Sequence, residues 1–289
     1  MSRVLVMTDT VACIPEDLAR ELGIKVVPAA NIIVNGQSYI EGVTLKAAEA
    51  YRLITEDPDR FVTSAIPPDY LLKVYLELSE MYQEVLFITI SSALSAVSRT
   101  ATIAVDLLRE RKPGMTIRVM DSKACASTQG LVVLAAARAA AQGRSLDEVE
   151  SFARKVRQVA GGLMLLDTLR YAYRTGRISK AASQIASLLN IKPINRLTDE
   201  GKVEFVDRVR KKAEGLNRLM DMIERQMGTS ALHFMVTHAA VPEQAEEFAK
   251  QLKGRFRCLS MVIGEFSPVM GYGAGPGVIF VGFHPEVAM

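Results

Sequence analysis

Residues 84–101, EVLFITISSALSAVSRTA, decide how the rest of the chain is read. Val85–Ile90 is a continuous apolar run of strand length, the pattern of a strand buried on both faces. It stops at Ser91 and Ser92. A third serine, Ser95, follows, and a helix is expected from there to Arg111. Strand, polar turn and helix form the repeating unit of an α/β sheet, whose ligands collect where strands end and helices begin. At this turn three hydroxyls and the unpaired N–H groups of a helix start would point at one place, which suits an anion. No strong nucleophile or metal ligand accompanies them, so the turn reads as a holder rather than a cutter.

The same alternation extends in both directions. Upstream, Val4–Met7 is a short strand ending in Thr8-Asp9-Thr10, and Pro15, Glu16 and Asp17 start a helix that closes at Gly23. Ile24–Val27 and Ile32–Val34 read as strands, with a hairpin turn at Asn35-Gly36. Ala47–Thr55 is helical, Phe61–Ser64 is extended, and Pro67-Pro68-Asp69 opens a helix over Tyr70–Met81. Downstream, Thr116–Met120 is a strand ending in Asp121-Ser122, and helices follow over Thr128–Gln142 and Ser145–Val159. Apolar strands alternating with helices imply a parallel sheet covered on both faces, so residues 1–160 are expected to form a parallel α/β domain.

After Gly161-Gly162 the pattern changes. A strand at Leu163–Leu166, a helix from about Lys180 to Leu189 and a hairpin of Pro193–Leu197 with Lys202–Val206 come first. A basic helix at Lys211–Met227 follows, then strands at Ala231–Thr237, Val262–Phe266 and Val278–Phe283, with a helix at Pro242–Leu252. Residues 161–289 are therefore expected to form an α+β domain. The segment Ser267–Gly277 holds four glycines and two prolines and reads as a shaped turn between two strands, where backbone can approach a ligand closely.

Composition excludes several classes of function. A net charge of +3, from 35 basic and 32 acidic residues, is too mild to imply nucleic acid. No apolar run approaches a membrane span: the most apolar stretch, Leu131–Ala141, is interrupted by Arg138 and reads as a buried helix. The opening MSRVLVMTDT lacks the long apolar core of a signal peptide. Three cysteines, Cys13, Cys125 and Cys258, stand far apart with no metal-binding spacing, which points to a reducing, cytoplasmic setting and to no metal site. Asp9 and Asp121 could form a carboxylate pair or hold magnesium, but each is read first as a turn cap.

Two polar turns, Thr63-Ser64 and Ser91–Ser95, are expected on one sheet edge, where neutral hydroxyls could hold a carboxylate or phosphate. Leu169–Arg177 adds three arginines, a residue suited to both anions. Arg208-Val209-Arg210-Lys211-Lys212 places cations at a helix start, the unfavourable end of the helix dipole, which hints at an acidic partner.

Taken in order, Thr8-Asp9-Thr10, Thr63-Ser64, Ser91-Ser92-Ala93-Leu94-Ser95, Asp121-Ser122 with Ser127 and Gly130, Gly176-Arg177-Ile178, Lys192-Pro193-Ile194, Gly201 ahead of Arg208 and Arg210, and Gly271 with Gly275-Pro276-Gly277 resemble the DegV family, whose members bind fatty acids. The resemblance covers essentially the whole chain. It implies a two-domain α/β protein enclosing one long-chain fatty acid between the domains. It also implies a carboxylate site at Thr63 and Ser95, with Ser64 and Ser92 nearby, and no metal or other cofactor. In some members the protein presents the acid to a separate kinase that makes an acyl phosphate, so the chain would be a carrier and not the catalyst. Arg208, Arg210 and Lys212 are then the candidate docking residues, with at most transient contact with a membrane surface.

This chain departs from the family pattern at three places. Ala96-Val97 stands where members usually have Gly-Thr, Ala65-Ile66 follows Thr63-Ser64 in place of Gln-Pro, and Gly273 occupies a position often held by histidine. Arg170 or Tyr272, in a segment shaped by Gly271 and Gly273, could make up the missing head-group contact. Burying a sixteen-carbon tail is worth on the order of 10 kcal/mol at ~0.8 kcal/mol per methylene, so a few head-group hydrogen bonds suffice for orientation. Two other readings stay open on the residues alone. One is an enzyme of acyl or phosphate esters using a serine of 91–95, although no GxSxG elbow is present. The other is a regulatory adaptor acting through the basic helix.

Overall fold

A computed structural model describes residues 4–177 and 191–289. The helix expected near 180–189 and Ile178 lie outside the described residues. Elements of the first half are β1 (Leu5–Asp9), α1 (Glu16–Glu21), β2 (Lys25–Val27), β3 (Ala30–Val34), β4 (Gln37–Ile40), α2 (Ala47–Glu56), β5 (Phe61–Ala65), α3 (Pro68–Leu78), β6 (Glu84–Thr89), α4 (Val97–Arg109), β7 (Thr116–Asp121), α5 (Ala126–Ala141) and α6 (Leu146–Val159). The second half holds β8 (Gly161–Leu165), α7 (Ala172–Thr175), β9 (Lys192–Leu197), β10 (Val203–Val209), α8 (Lys212–Met227), β11 (Leu232–His238), α9 (Pro242–Arg255), β12 (Cys258–Glu265), α10 (Pro268–Ala274) and β13 (Ile279–Pro285).

These strands form three sheets. The first is all parallel, in the order β2-β1-β6-β7. Its two faces are covered by different helices. Leu5, Met7, Val85 and Phe87 pack with α3 and α4, whereas Val6, Leu86 and Ile88 pack with α1, α5 and α6. The second is a mixed six-stranded sheet, β10-β9-β8-β13-β11-β12, in which only β11 and β12 run parallel. The third is a small antiparallel sheet, β4-β3-β5, with Asn35 and Gly36 at φ 51° and 79° in its hairpin turn.

Three expectations are corrected here. Thr63-Ser64 is not a strand-to-helix turn of the parallel sheet but the middle of β5, an edge strand of the small sheet. Helix α4 begins at Val97, not at Ser95, because Ser91 Oγ accepts from Ala93 N at 3.2 Å and the Ser91 carbonyl accepts from Leu94 N and Ser95 N. Those bonds close a separate turn before the helix. The glycine-rich segment is not an open turn: Pro268 at its first position lets it wind into α10, and Gly275 at φ 84° ends it.

Helix α5 joins the two large sheets and is buried nearly all round, as the apolar run Leu131–Ala137 requires. Its first turn is polar for a reason. Ser127 Oγ bonds Thr237 Oγ1 at 2.7 Å and Phe280 O at 3.0 Å on the mixed sheet, while Gln129 Nε2 reaches Thr8 and Asp9 on the parallel sheet. No described helix is long and apolar enough to cross a membrane.

Candidate functional site

The three sheets meet around a cavity of about 210 Å³. β5 contributes Thr63, Ser64 and Ala65, the serine turn contributes Ile90, Leu94, Ser95 and Ala96, and α10 contributes Val269, Met270, Tyr272, Gly273 and Ala274. Met164 of β8, Val203 of β10 and Cys125 add to an apolar wall, and Thr175 and Arg177 stand at its border. Hydroxyls and one guanidinium on a largely apolar cavity are the ingredients of a site for an amphipathic acid.

The edge position of β5 gives its backbone a part in the site. Ile66 N donates to Ala29 O, and the register pairs Ser64 with Asn31 and Thr63 with Ile32. In an antiparallel ladder bonded and non-bonded pairs alternate. The N–H groups of Thr63 and Ala65 therefore turn away from β3 toward the open edge. Side chains alternate as well: Thr63 lies on the face of buried Phe61, and Ser64 on the face of exposed Val62. Thr63 thus offers both a hydroxyl and an N–H, whereas Ser64 borders the cavity from an outward-facing position.

The serine turn is anchored from beneath. Ile90 N donates to Asp9 Oδ2 at 2.7 Å and Ser91 N to Ala124 O at 2.8 Å. Ser92 does not border the cavity; its hydroxyl bonds Asp121 Oδ2 at 2.5 Å, and its N–H bonds Oδ1 of the same carboxylate. It holds the turn against the end of β7. Ala96 adopts φ −86° and ψ 5°, a conformation open to any L residue, so alanine in place of the family's glycine brings no backbone strain.

The tip of the β9–β10 hairpin closes over this turn. Gly201, at φ 80°, lies so near that a Cβ there would stand 2.2 Å from Ser91 Oγ and 2.8 Å from Lys123 Cα. Only glycine fits both the conformation and the approach. Arg157, buried in α6, fastens the contact by donating to Ser122 O, Lys123 O and Thr198 O.

Arg170 is exposed and lies off the cavity, with its guanidinium 6.0 Å from the Tyr171 ring. Arg177 borders the cavity instead and donates to Thr175 O at 2.6 Å. Tyr272 lines the cavity and stacks on Phe61 at 5.0 Å. Gly273 also lines it, with open space where a side chain would be. Gly271 faces the other way, against Tyr51.

Two buried acids, Glu41 and Asp9, hold these walls in place. Glu41 Oε1 accepts from Val269 N at 2.8 Å, and Oε2 accepts from Thr10 Oγ1 at 2.6 Å and Ala29 N at 3.2 Å. Val269 and Ala29 both border the cavity, so this one carboxyl ties α10 to the small sheet. Desolvation raises its affinity for a proton. Asp9 does the same for β1 and the serine turn, and burial pushes it up to about 7. Sequence reasoning missed Glu41 because a lone glutamate after a hairpin looks like a solvated residue.

Of the docking candidates, Arg208 and Arg210 are exposed. Lys212 is not free: its Nζ donates to Gly277 O at 2.7 Å and is half-buried. The histidines lie away from the serine turn. His233 bonds Ser260, His284 bonds Pro285 O, and His238 accepts from Val241 N. Burial pushes the Cys125 thiol up to about 12, which leaves it a small apolar wall residue.

Comparison with known proteins agrees with this architecture. A family model described as "Uncharacterised protein, DegV family" matches residues 3–286. A DegV domain-containing protein of Caldanaerobacter subterraneus subsp. tengcongensis is 32% identical over 292 residues, covering 97% of this chain and 99% of that one. Among solved structures, a DegV family protein from Thermus thermophilus, described for its fatty acid binding, superposes with a TM-score of 0.88 at 24% identity, over 98% of this chain and 100% of that one. A DegV family protein from Eubacterium eligens loaded with heptadecanoic acid gives a TM-score of 0.88 at 19% identity, with the same coverage of both chains. With a parallel sheet, a separate mixed sheet and a cavity between them, and with a family match along nearly its whole length, this chain belongs to the DegV family.

Proposed function

We propose that this protein binds one long-chain fatty acid, with the carboxylate at Thr63 and Ser95 and the acyl tail in the apolar cavity. The observation that carries the reading is the meeting of Thr63, from an edge strand of the small sheet, and Ser95, from the turn after β6 of the parallel sheet, on one largely apolar cavity. The open-edge N–H groups of Thr63 and Ala65 add donors suited to an oxyanion, and Arg177 adds the positive charge once sought at Arg170. Ser64 and Tyr272 flank the head group, while Ser92 serves indirectly by holding the turn on Asp121. The fatty acids named for the Thermus and Eubacterium structures support this ligand class.

The protein acts as a carrier in the cytoplasm and leaves chemistry to a partner. Its serine turn has a histidine neither in hydrogen-bond contact nor nearby in sequence, so a serine nucleophile would lack its base. The partner in this reading is a kinase that phosphorylates the bound acid, and exposed Arg208 and Arg210 form its docking point. Solvent extraction of the denatured protein followed by mass spectrometry tests the ligand. A stoichiometric long-chain acid is expected; a lipid-free protein that cannot be loaded overturns the proposal. Thr63→Ala combined with Ser95→Ala is expected to weaken retention by at least about tenfold, since each hydrogen bond to a charged group is worth ~1.5–3 kcal/mol. Unchanged retention would move the head group elsewhere.

A further inference from the structure

The stretch that carries α10 leaves the mixed sheet and returns to it at one point. Phe266 N donates to His238 O at 2.7 Å and Gly277 N donates to Ala239 O at 2.8 Å, on consecutive residues where β11 ends. The residues between form a loop closed at its base, with Gly275 and Gly277 at φ 84° and 87° on the return. This loop gives the cavity Val269, Met270, Tyr272, Gly273 and Ala274. The other described walls are built differently. β5 is paired along its length with β3, β8 lies between β9 and β13, and the serine turn is pinned through Ile90 N and Ser91 N. α10 rests instead on packing, with Tyr51 against Gly271 and Phe61 against Tyr272, and on the carboxyl of Glu41.

Glu41 is 0% exposed. One oxygen accepts from Val269 N, in the first turn of α10, and the other from Ala29 N, at the entry to β3. Both of those residues border the cavity, so one carboxyl closes the seam between the loop and the small sheet. An acid whose tail fills a cavity walled by sheets can enter only if a wall moves. The wall that opens at least cost is the one hinged at a single base and tied by few hydrogen bonds. We propose, building on the fatty-acid reading above, that Glu41 is a positioning residue that latches α10 over the acyl ligand, so that the acid enters and leaves where α10 parts from the small sheet. Glutamine keeps the shape of this side chain but offers one acceptor oxygen to two N–H groups, so one side of the seam loses its tie whichever way the amide turns.

Stopped-flow exchange of parinaric acid, a fluorescent long-chain acid, on the delipidated full-length protein tests this. In Glu41→Gln the association and dissociation rates are both expected to rise by about tenfold or more, the worth of one hydrogen bond to a charged group, while Kd moves far less. Tyr51→Phe removes the hydroxyl that donates to Phe266 O at the base of the loop and keeps the ring, and is expected to raise both rates by about fivefold. That variant carries the test if Glu41→Gln does not fold. Leu219→Ala, in the core under α8, lowers stability without touching the loop and is expected to leave both rates at their wild-type values. Unchanged rates in Glu41→Gln overturn the latch. A rise in dissociation alone also overturns it, because that marks lost affinity and not an easier opening. Rates raised as much by Leu219→Ala overturn it by showing general destabilisation. In each of those cases fatty-acid binding stands, whereas failure of the wild type to bind any acid overturns both readings.

Discussion

Two buried ionisable side chains pull the protein's acid response in opposite directions. Burial pushes Asp9 up to about 7, against the N–H groups of Ile90, Gln129 and Val11; unfolded, the same carboxyl titrates near 3.8. Between those values the folded chain holds a proton that the unfolded chain has shed, so this residue makes stability fall as pH rises from about 4 to about 7. His284, packed on His233 with ring centroids 4.8 Å apart, is pushed down by burial to about 4. Its unfolded imidazole gains a proton near 6.5, so the stability that rests on neutral His284 is complete above that pH and is lost as pH falls toward about 4. Asp9→Asn removes the first slope and leaves the second. Urea unfolding at several pH values between about 4 and 7 is expected to show the variant gaining stability with pH more steeply than the wild type. Parallel curves would mean that Asp9 stays ionised in the fold. The variant is also expected to lose about 1–3 kcal/mol at neutral pH, because an amide nitrogen then faces donors that a carboxylate had satisfied.

At the scale of elements, the short helix α10 depends on its supports. Seven residues with two internal glycines have little intrinsic helicity, so tertiary contacts must hold them. Glu41 receives Val269 N, the Tyr51 hydroxyl donates to Phe266 O at 2.6 Å, and the ring of Tyr51 fills the space beside Gly271. A Cβ on Gly271 would stand 2.2 Å from Tyr51 Cε1. Gly271→Ala is therefore expected to destabilise the protein by about 1–3 kcal/mol, the usual cost of overpacking. Combined with Tyr51→Leu it should cost less than the sum of the two single changes, because the clash needs both partners. Strict additivity in a double-mutant cycle would show that the helix is seated by other contacts. The same element shows where sequence reading stops: glycine and proline density marks a bend, but the supports that seat α10 as a helix, Glu41 at its first turn and Tyr51 beside Gly271, come from far away in sequence.

For the whole molecule, α5 makes the two large sheets one unit, and the hairpin tip at Gly201 completes the serine turn from the other half of the chain. In the proposed function, ligand binding and partner recognition lie on separate surfaces. Arg208→Glu with Arg210→Glu is expected to leave fatty-acid retention unchanged and to cut the acyl-phosphate yield in a coupled kinase assay by about tenfold or more, as expected for reversing charges at a recognition surface. An unaltered yield would place docking elsewhere. Lys212→Ala is expected to behave differently, lowering the melting temperature, since its ammonium caps Gly277 O from within the fold.

Most of the parallel sheet, and the strands and two long helices α8 and α9 of the second half, could be read from the chain, because apolar runs and helical periodicity report burial locally. Asn35-Gly36 and the capping box of Ser145 with Glu148 are likewise local signals with local outcomes. Thr63 and Ser95 stand out in the sequence as hydroxyl residues of a type suited to an anion, and the family resemblance links them. What tertiary structure decided was where they meet. It assigned β5 to a separate sheet with an open edge, put Arg177 rather than Arg170 at the cavity and turned Ser92 and Lys212 to internal hydrogen bonds. It also buried Glu41. Each of those outcomes is set by partners from distant segments, and sequence periodicity carries no information about which strand edge stays open or which polar side chain the packing buries.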